Sequence, residues 1–269
     1  VPVVVVSAFS PAHGARAVDA LAEGAFELVA KPAMGESIEA FTAELARKVS
    51  DAAEGGKLRR RRALAPKPVV APPRPVAGTR SATRKFVLIV SSTGGPKALG
   101  DLIPRLPAPL GTGAMIVQHM PAGFTASLAA RLDATAKLTV AEAVGGETMD
   151  PRRLYLAPGG SHLRLEHGGR ARLSADAPLG GLRPRADLTI ADAAGVYGPA
   201  LVLVVLTGMG KDGLEGARAV KAAGGRVLVE AESTCVVYGM PRAVAEAGLA
   251  DGVVPLHELH TAIAREAGA

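Results

Sequence analysis

Phe86-Val87-Leu88-Ile89-Val90-Ser91-Ser92-Thr93-Gly94-Gly95-Pro96 joins an apolar run, a hydroxyl-rich turn and a helix start in one stretch. Phe86–Val90 has the length and branching of a strand buried on both faces, as in a parallel sheet. Pro96 suits the first position of a helix, here expected over Pro96–Leu106. A serine in such a turn projects its hydroxyl above the carboxyl end of the sheet. The backbone N–H groups that follow face the same space at a helix N-terminus. Taken alone, the turn reads first as a helix cap or a phosphate cradle, and second as a nucleophile with half an oxyanion hole.

The pattern repeats toward the C-terminus. Strands are expected at Ala114–Gln118, Leu201–Leu206 and Arg226–Val229, and helices at Thr125–Asp133, Asp187–Ala194 and Leu214–Ala223, with two short helices closing the chain. Several short strands are expected between Asp150 and Leu173, with turns at Pro158-Gly159-Gly160 and Gly168-Gly169. The fold class is therefore α/β: a mostly parallel, doubly wound, Rossmann-like sheet with a small antiparallel excursion.

Two further turns lie at the same sheet edge, where open α/β sheets bind ligands. Gln118-His119-Met120-Pro121 places His119 as a candidate general base for Ser92. Thr207-Gly208-Met209-Gly210-Lys211-Asp212-Gly213 places Asp212 where a carboxylate could accept the other ring N–H of the histidine. The last turn also supports a rival. Gly208, Gly210 and Gly213 spell G-x-G-x-x-G between strand and helix, and Glu230 follows the next strand, as in a dinucleotide-binding fingerprint. Against it, Asp212 would stand close to a pyrophosphate, and the Ser92 and His119 turns would go unused. A non-catalytic adaptor with the same fold is the third possibility. His162 and His167 lack metal-ligand spacing and are expected to be surface or hydrogen-bonded histidines, so neither metal nor cofactor is expected.

Toward the N-terminus lies a Pro- and Arg-rich segment. Lys57 to Lys85 holds ten Lys/Arg and no Asp or Glu; taking those ten from the net charge of +6 leaves −4 for the rest of the chain. With the prolines from Pro66 to Pro75, residues 55–84 are expected to form an extended, self-repelling linker. Basicity confined to a tether, and aromatic content of 3%, argue against nucleic acid as a partner. Residues 1–54 read as strand, helix, strand, helix: Pro2–Ser7, Ala12–Glu23, Phe26–Ala30 and Ser37–Val49. Two parallel strands cannot stand alone, so this piece is incomplete. The first residue is Val, which suggests a chain cut from a longer one. No apolar run is long enough to span a bilayer, and membrane insertion is not expected. A single cysteine, Cys235, fits a reducing compartment, and the expected location is the cytoplasm.

Residues 86–269 resemble the catalytic domain of the chemotaxis protein-glutamate methylesterases, the CheB family. Six blocks in the family's order carry the resemblance. They are Ser92-Thr93-Gly94-Gly95; Gln118-His119-Met120-Pro121 with Gly123-Phe124-Thr125; Tyr155-Leu156-Ala157-Pro158-Gly159; Arg183-Pro184 with Asp187; Leu206 through Gly213; and Cys235 through Arg242. The resemblance implies Ser92 as nucleophile, His119 as base and Asp212 as orienting acid. It also implies Met209, through its backbone, and Thr93 as oxyanion or substrate contacts. The implied reaction is hydrolysis of glutamate γ-methyl esters of methyl-accepting chemotaxis receptors, releasing methanol, with deamidation of receptor glutamine as a side activity. Three positions depart from the family pattern: Val90 replaces a usual glycine, Arg185 a small polar residue, and Leu182 a frequent histidine.

Residues 1–54 resemble the second half of a flavodoxin-like response-regulator receiver domain. Ser7 matches the switch hydroxyl, and Lys31-Pro32 the phosphate-contacting lysine and a cis proline. The resemblance implies a chemotaxis histidine kinase as partner of the full receiver, which covers the active site until phosphorylated. The acceptor aspartate is not among these residues, so the fragment is expected not to respond to aspartyl phosphorylation.

Overall fold

The computed structural model describes residues 1–8, 11–32, 35, 37–64 and 84–268. In chain order the elements are β1 Val4–Ser7, α1 Pro11–Ala22, β2 Glu27–Ala30, α2 Ile38–Leu64, β3 Phe86–Ser91, α3 Gly95–Leu102, β4 Ala114–Gln118 and α4 Phe124–Asp133. Then follow β5 Thr139–Glu142, β6 Arg153–Leu156, β7 His162–Leu165, β8 Ala171–Ser174, α5 Ala186–Tyr197 and β9 Leu201–Val205. The chain closes with α6 Leu214–Ala222, β10 Arg226–Glu230, α7 Met240–Glu246, β11 Gly252–Val254 and α8 Leu256–Ala267.

β3 and β9 are central because every one of their residues is buried. The main sheet runs β11-β10-β9-β3-β4-β6-β5, with all its pairings parallel. From β3 the chain winds outward toward β4, and from β9 it winds the other way, so β3 and β9 meet at the topological switch point. Such a point opens a crevice at the carboxyl ends of its strands. The antiparallel excursion is the β7–β8 hairpin alone; β6 belongs to the main sheet.

Two hydrophobic layers cover the sheet. One joins Ile89, Leu99, Phe124, Leu128 and Ile263; the other joins Val90, Val205, Ile190, Ala217 and Met240. β1 and β2 form a separate two-stranded parallel sheet. This unit buries Phe26, Val29 and Ala52, and it also shares the core of the larger one. Ala17, Val18, Leu21 and Leu28 enter the first layer, and α1 packs on α3 and α4.

Three expectations are corrected. The helix expected to stop at Val49 runs to Leu64, so the first ten residues of the expected extended linker, including the arginine run, continue α2. A helix tolerates the Gly55-Gly56 pair that reads as a stop, at a cost of about 1 kcal/mol per glycine. Residues 65–83 of the expected linker lie outside the described residues. The peptide before Pro32 is trans; among the described residues the cis prolines are Pro109 and Pro184.

Candidate active site

Ser92 leaves the end of β3 directly over the switch point. Its N–H donates to the Thr207 carbonyl of the β9 turn at 3.0 Å, which ties the two turns together. No non-glycine residue among those described has a positive φ, so Ser92 is not held in a strained elbow; Gly94, at φ 79°, makes the turn into α3. Val90, where the family pattern has glycine, is fully buried in the second hydrophobic layer. Its Cγ2 lies 3.6 Å from where a Cβ on Gly213 would stand, so its bulk packs against the turn that carries Asp212.

His119 follows β4, and its N–H donates to the Ser91 carbonyl at 3.0 Å. The imidazole is nearly buried, and its Nε2 lies 2.7 Å from Asp212 Oδ2. That bond holds the ring by Nε2. In the chymotrypsin arrangement the acid takes Nδ1 instead. Ser92 and His119 line the same cleft of about 630 Å³, which Met209 and Gly210 also border. The Ser92 hydroxyl forms no hydrogen bond to another described residue.

Asp212 is held by more than the histidine. Its Oδ2 accepts the Ala186 N–H at 2.7 Å and its Oδ1 the Asp187 N–H at 3.0 Å, both from the first turn of α5. Burial works to raise its pKa. The hydrogen bond and charge of His119, and the two N–H donors of α5, outweigh burial and hold the carboxyl well below the usual carboxylate range. Arg185 Nε stands 3.5 Å from Oδ1. Arg185 also contacts Asp187 Oδ2 at 2.9 Å and the Leu179 carbonyl at 3.1 Å. The family-atypical arginine therefore braces Asp212 against the loop that forms one wall of the cleft.

The N–H groups of Thr93 and Met209 donate to no described residue, and both residues border the cleft. Gly208 is a glycine by close approach: a Cβ there would lie 2.9 Å from Ser92 Cβ and 2.4 Å from Met240 Sδ. The Thr93 hydroxyl points away and donates to Glu27 Oε2 at 2.6 Å, a contact from β2 of the N-terminal unit. Phe26, Glu27 and Lys48 complete the cleft wall from that side.

The dinucleotide reading fails on Glu230. This carboxylate is fully buried and accepts the Thr207 N–H at 2.8 Å, so it cannot meet a ribose. His162 is also buried. Its Nδ1 accepts the Arg185 N–H and its Nε2 reaches the Ala177 carbonyl, each at 3.2 Å, so it joins the two ends of the 177–185 loop. Among the described residues no group of His, Cys, Asp and Glu could hold a metal.

Sequence reasoning missed the roles of Gln118 and Asp187. Gln118 bridges the serine and histidine turns through its side-chain amide. Asp187 Oδ1 accepts the N–H groups of Gly213 and Gly216 at 2.8 and 2.9 Å. Both residues stand inside recognised blocks, and that is the only signal the sequence offers for them.

A hydroxyl, an imidazole bonded to a buried carboxylate and unpaired N–H groups at the switch point of a doubly wound sheet define a serine-hydrolase type of site. The profile of the CheB methylesterase family matches residues 87–263. The chain belongs to this family. It is 43% identical to a protein-glutamate methylesterase/protein-glutamine glutaminase of Symbiobacterium thermophilum, over 99% of the chain and 77% of that protein. It is 39% identical to a protein-glutamate methylesterase/protein-glutamine glutaminase 2 of Pseudomonas aeruginosa, over 99% of the chain and 76% of that protein. The crystal structure of the Thermotoga maritima CheB methylesterase catalytic domain superposes with a TM-score of 0.65 at 46% identity, covering 67% of this chain and 97% of that one. No described helix is long and apolar enough to cross a membrane.

Proposed function

We propose that the chain is a serine hydrolase that removes methyl groups from protein glutamate γ-methyl esters of methyl-accepting chemotaxis receptors, and that it deamidates glutamine at the same site. The observation that carries this reading is the 2.7 Å bond between His119 Nε2 and Asp212 Oδ2, beside Ser92 at the switch point. Ser92 Oγ attacks the ester carbonyl carbon as its proton passes to His119 Nδ1. The carbonyl electron pair moves to oxygen, where the N–H groups of Met209 and Thr93 receive the charge. Asp212 stabilises the imidazolium. The carbon–methoxy bond then breaks, and methanol leaves with the proton from His119. Water attacks the acyl-enzyme by the same route, giving its proton to His119. Ser92 is released and the product is glutamate. With glutamine the leaving group is ammonia.

Residues 85–269 form the catalytic domain, residues 1–54 the receiver part that borders the cleft, and residues 55–84 the connection between them. The full receiver is the route to a chemotaxis histidine kinase, and the setting is the cytoplasm. The test is methanol release from methylated receptor. Ser92→Ala is expected to abolish it, and release near the wild-type rate from that variant would overturn the assignment.

A further inference from the structure

Ser91 and Gln118 face each other in register at the ends of β3 and β4. The Gln118 side chain is only 1% exposed and lies across the gap between the two catalytic turns. Its Oε1 accepts the Ser91 hydroxyl at 2.6 Å. Its Nε2 donates to the Ser92 carbonyl at 3.0 Å and to the His119 carbonyl at 2.9 Å. Both amide hydrogens are therefore used on the carbonyls of the two residues read as nucleophile and base. The start of α3 makes room for this: a Cβ on Gly95 would lie 1.9 Å from Gln118 Oε1 and 2.8 Å from Ser91 Oγ.

We propose that Gln118 is a positioning residue for the hydrolysis, clamping the Ser92 turn to the His119 turn at a fixed separation. The proposal rests on the reading of Ser92 and His119 as nucleophile and base. The chemistry of the amide supports it. The place needs one acceptor and two donors on a planar group. Asparagine is one methylene too short to span the gap. A glutamate carboxylate would direct an acceptor at two carbonyl oxygens. Methionine would fill the volume and make none of the bonds. The turns would still form without the clamp, because Ser92 N–H is held by Thr207 and His119 N–H by Ser91. What is lost is the constancy of the distance across which the proton moves, and a misplacement of about 1 Å costs about 10²-fold in rate.

The experiment compares Gln118→Met and Gln118→Glu with the wild-type chain. Methanol release from methylated receptor gives kcat and KM, and a fluorophosphonate gives the rate and end-point stoichiometry of Ser92 labelling. Thermal melting is recorded in parallel. For Gln118→Met, kcat and the labelling rate are expected to fall together by about 10²-fold. KM should stay within about twofold, because the cleft wall is untouched, and labelling should still reach one group per chain. Gln118→Glu keeps the volume and the Ser91 bond, and carries the test should Gln118→Met fail to fold. Above neutral pH it is expected to fall at least as far. Wild-type kcat per labelled site in either folded variant, with only the melting temperature lowered, would overturn the clamp. Failure of the underlying reading has a different signature: Ser92→Ala would release methanol at the wild-type rate and the fluorophosphonate would not label Ser92, whatever Gln118 does.

Discussion

Asp187 and Asp212 cap each other's helices. Asp212, just before α6, accepts the Ala186 and Asp187 N–H groups at the start of α5. Asp187, in the first turn of α5, accepts the Gly213 and Gly216 N–H groups at the start of α6. Each carboxylate occupies the positive end of the other's helix, where negative charge is stabilised by roughly 0.3–1 kcal/mol. Asp212 is therefore part of the joint between two helices that pack closely along the sheet.

Asp212→Asn retains an oxygen for the α5 donors but loses the charge that stabilises imidazolium. A kcat loss on the order of 10⁴-fold is expected with the circular dichroism spectrum unchanged. A loss below tenfold would remove Asp212 from the mechanism.

Asp187→Ala leaves the Gly216 N–H unpaired, makes the Gly213 N–H rely on Asp212 Oδ1 alone at 3.1 Å, and removes one of the carboxylates that hold Arg185. Denaturant unfolding is expected to show a loss of about 1–3 kcal/mol. The kcat should fall as well, because the Asp212 turn loses its support. Unchanged stability would show that water satisfies these donors equally well.

Arg185→Ser removes the cation that lies between the two carboxylates. Asp212 then loses its brace to the 177–185 loop, and kcat should fall by roughly tenfold or more with the circular dichroism spectrum unchanged. Wild-type kcat would mean that the α5 N–H donors hold Asp212 without the guanidinium.

Glu230 is a buried carboxyl whose pKa burial raises, against the lowering effect of the Thr207 N–H. Its folded value lies above its unfolded one, so folding favours the protonated form. Its contribution to stability is full below the ordinary carboxylate value of about 4.3. That contribution declines as pH rises from there toward the raised folded value. Glu230→Gln does not titrate, so its melting temperature should change less than wild type over that window. Parallel melting curves over that window would exclude Glu230 as the source.

Much of this architecture could be read in the sequence because buried parallel strands are nearly uniform apolar runs. β3, β4, β9 and β10 are of that kind, and the hydroxyl, histidine and aspartate turns follow three of them. β5 was not legible. It is a four-residue edge strand with one buried position, and Thr139-Val140-Ala141-Glu142 carries neither a long apolar run nor a turn signal. β11 is shorter still. The C-terminal end of α2 was not legible because a glycine pair and a run of arginines resemble a tether. The Asp187–Asp212 exchange was invisible for another reason. Its partners are 25 and 26 residues apart, and nothing in either segment requires the other until α5 and α6 lie side by side.

The switch point also has a kinetic meaning. The bond that orients His119 spans 93 residues of chain, and the bond from Thr207 Oγ1 to the Thr93 carbonyl spans 114. Contacts of such separation form late, after local helices and neighbouring strands have consolidated. A refolding chain should thus regain its helical signal before fluorophosphonate can label Ser92. Newly made or partly unfolded copies are then expected to be silent, with esterase activity appearing only in chains whose central strands have paired.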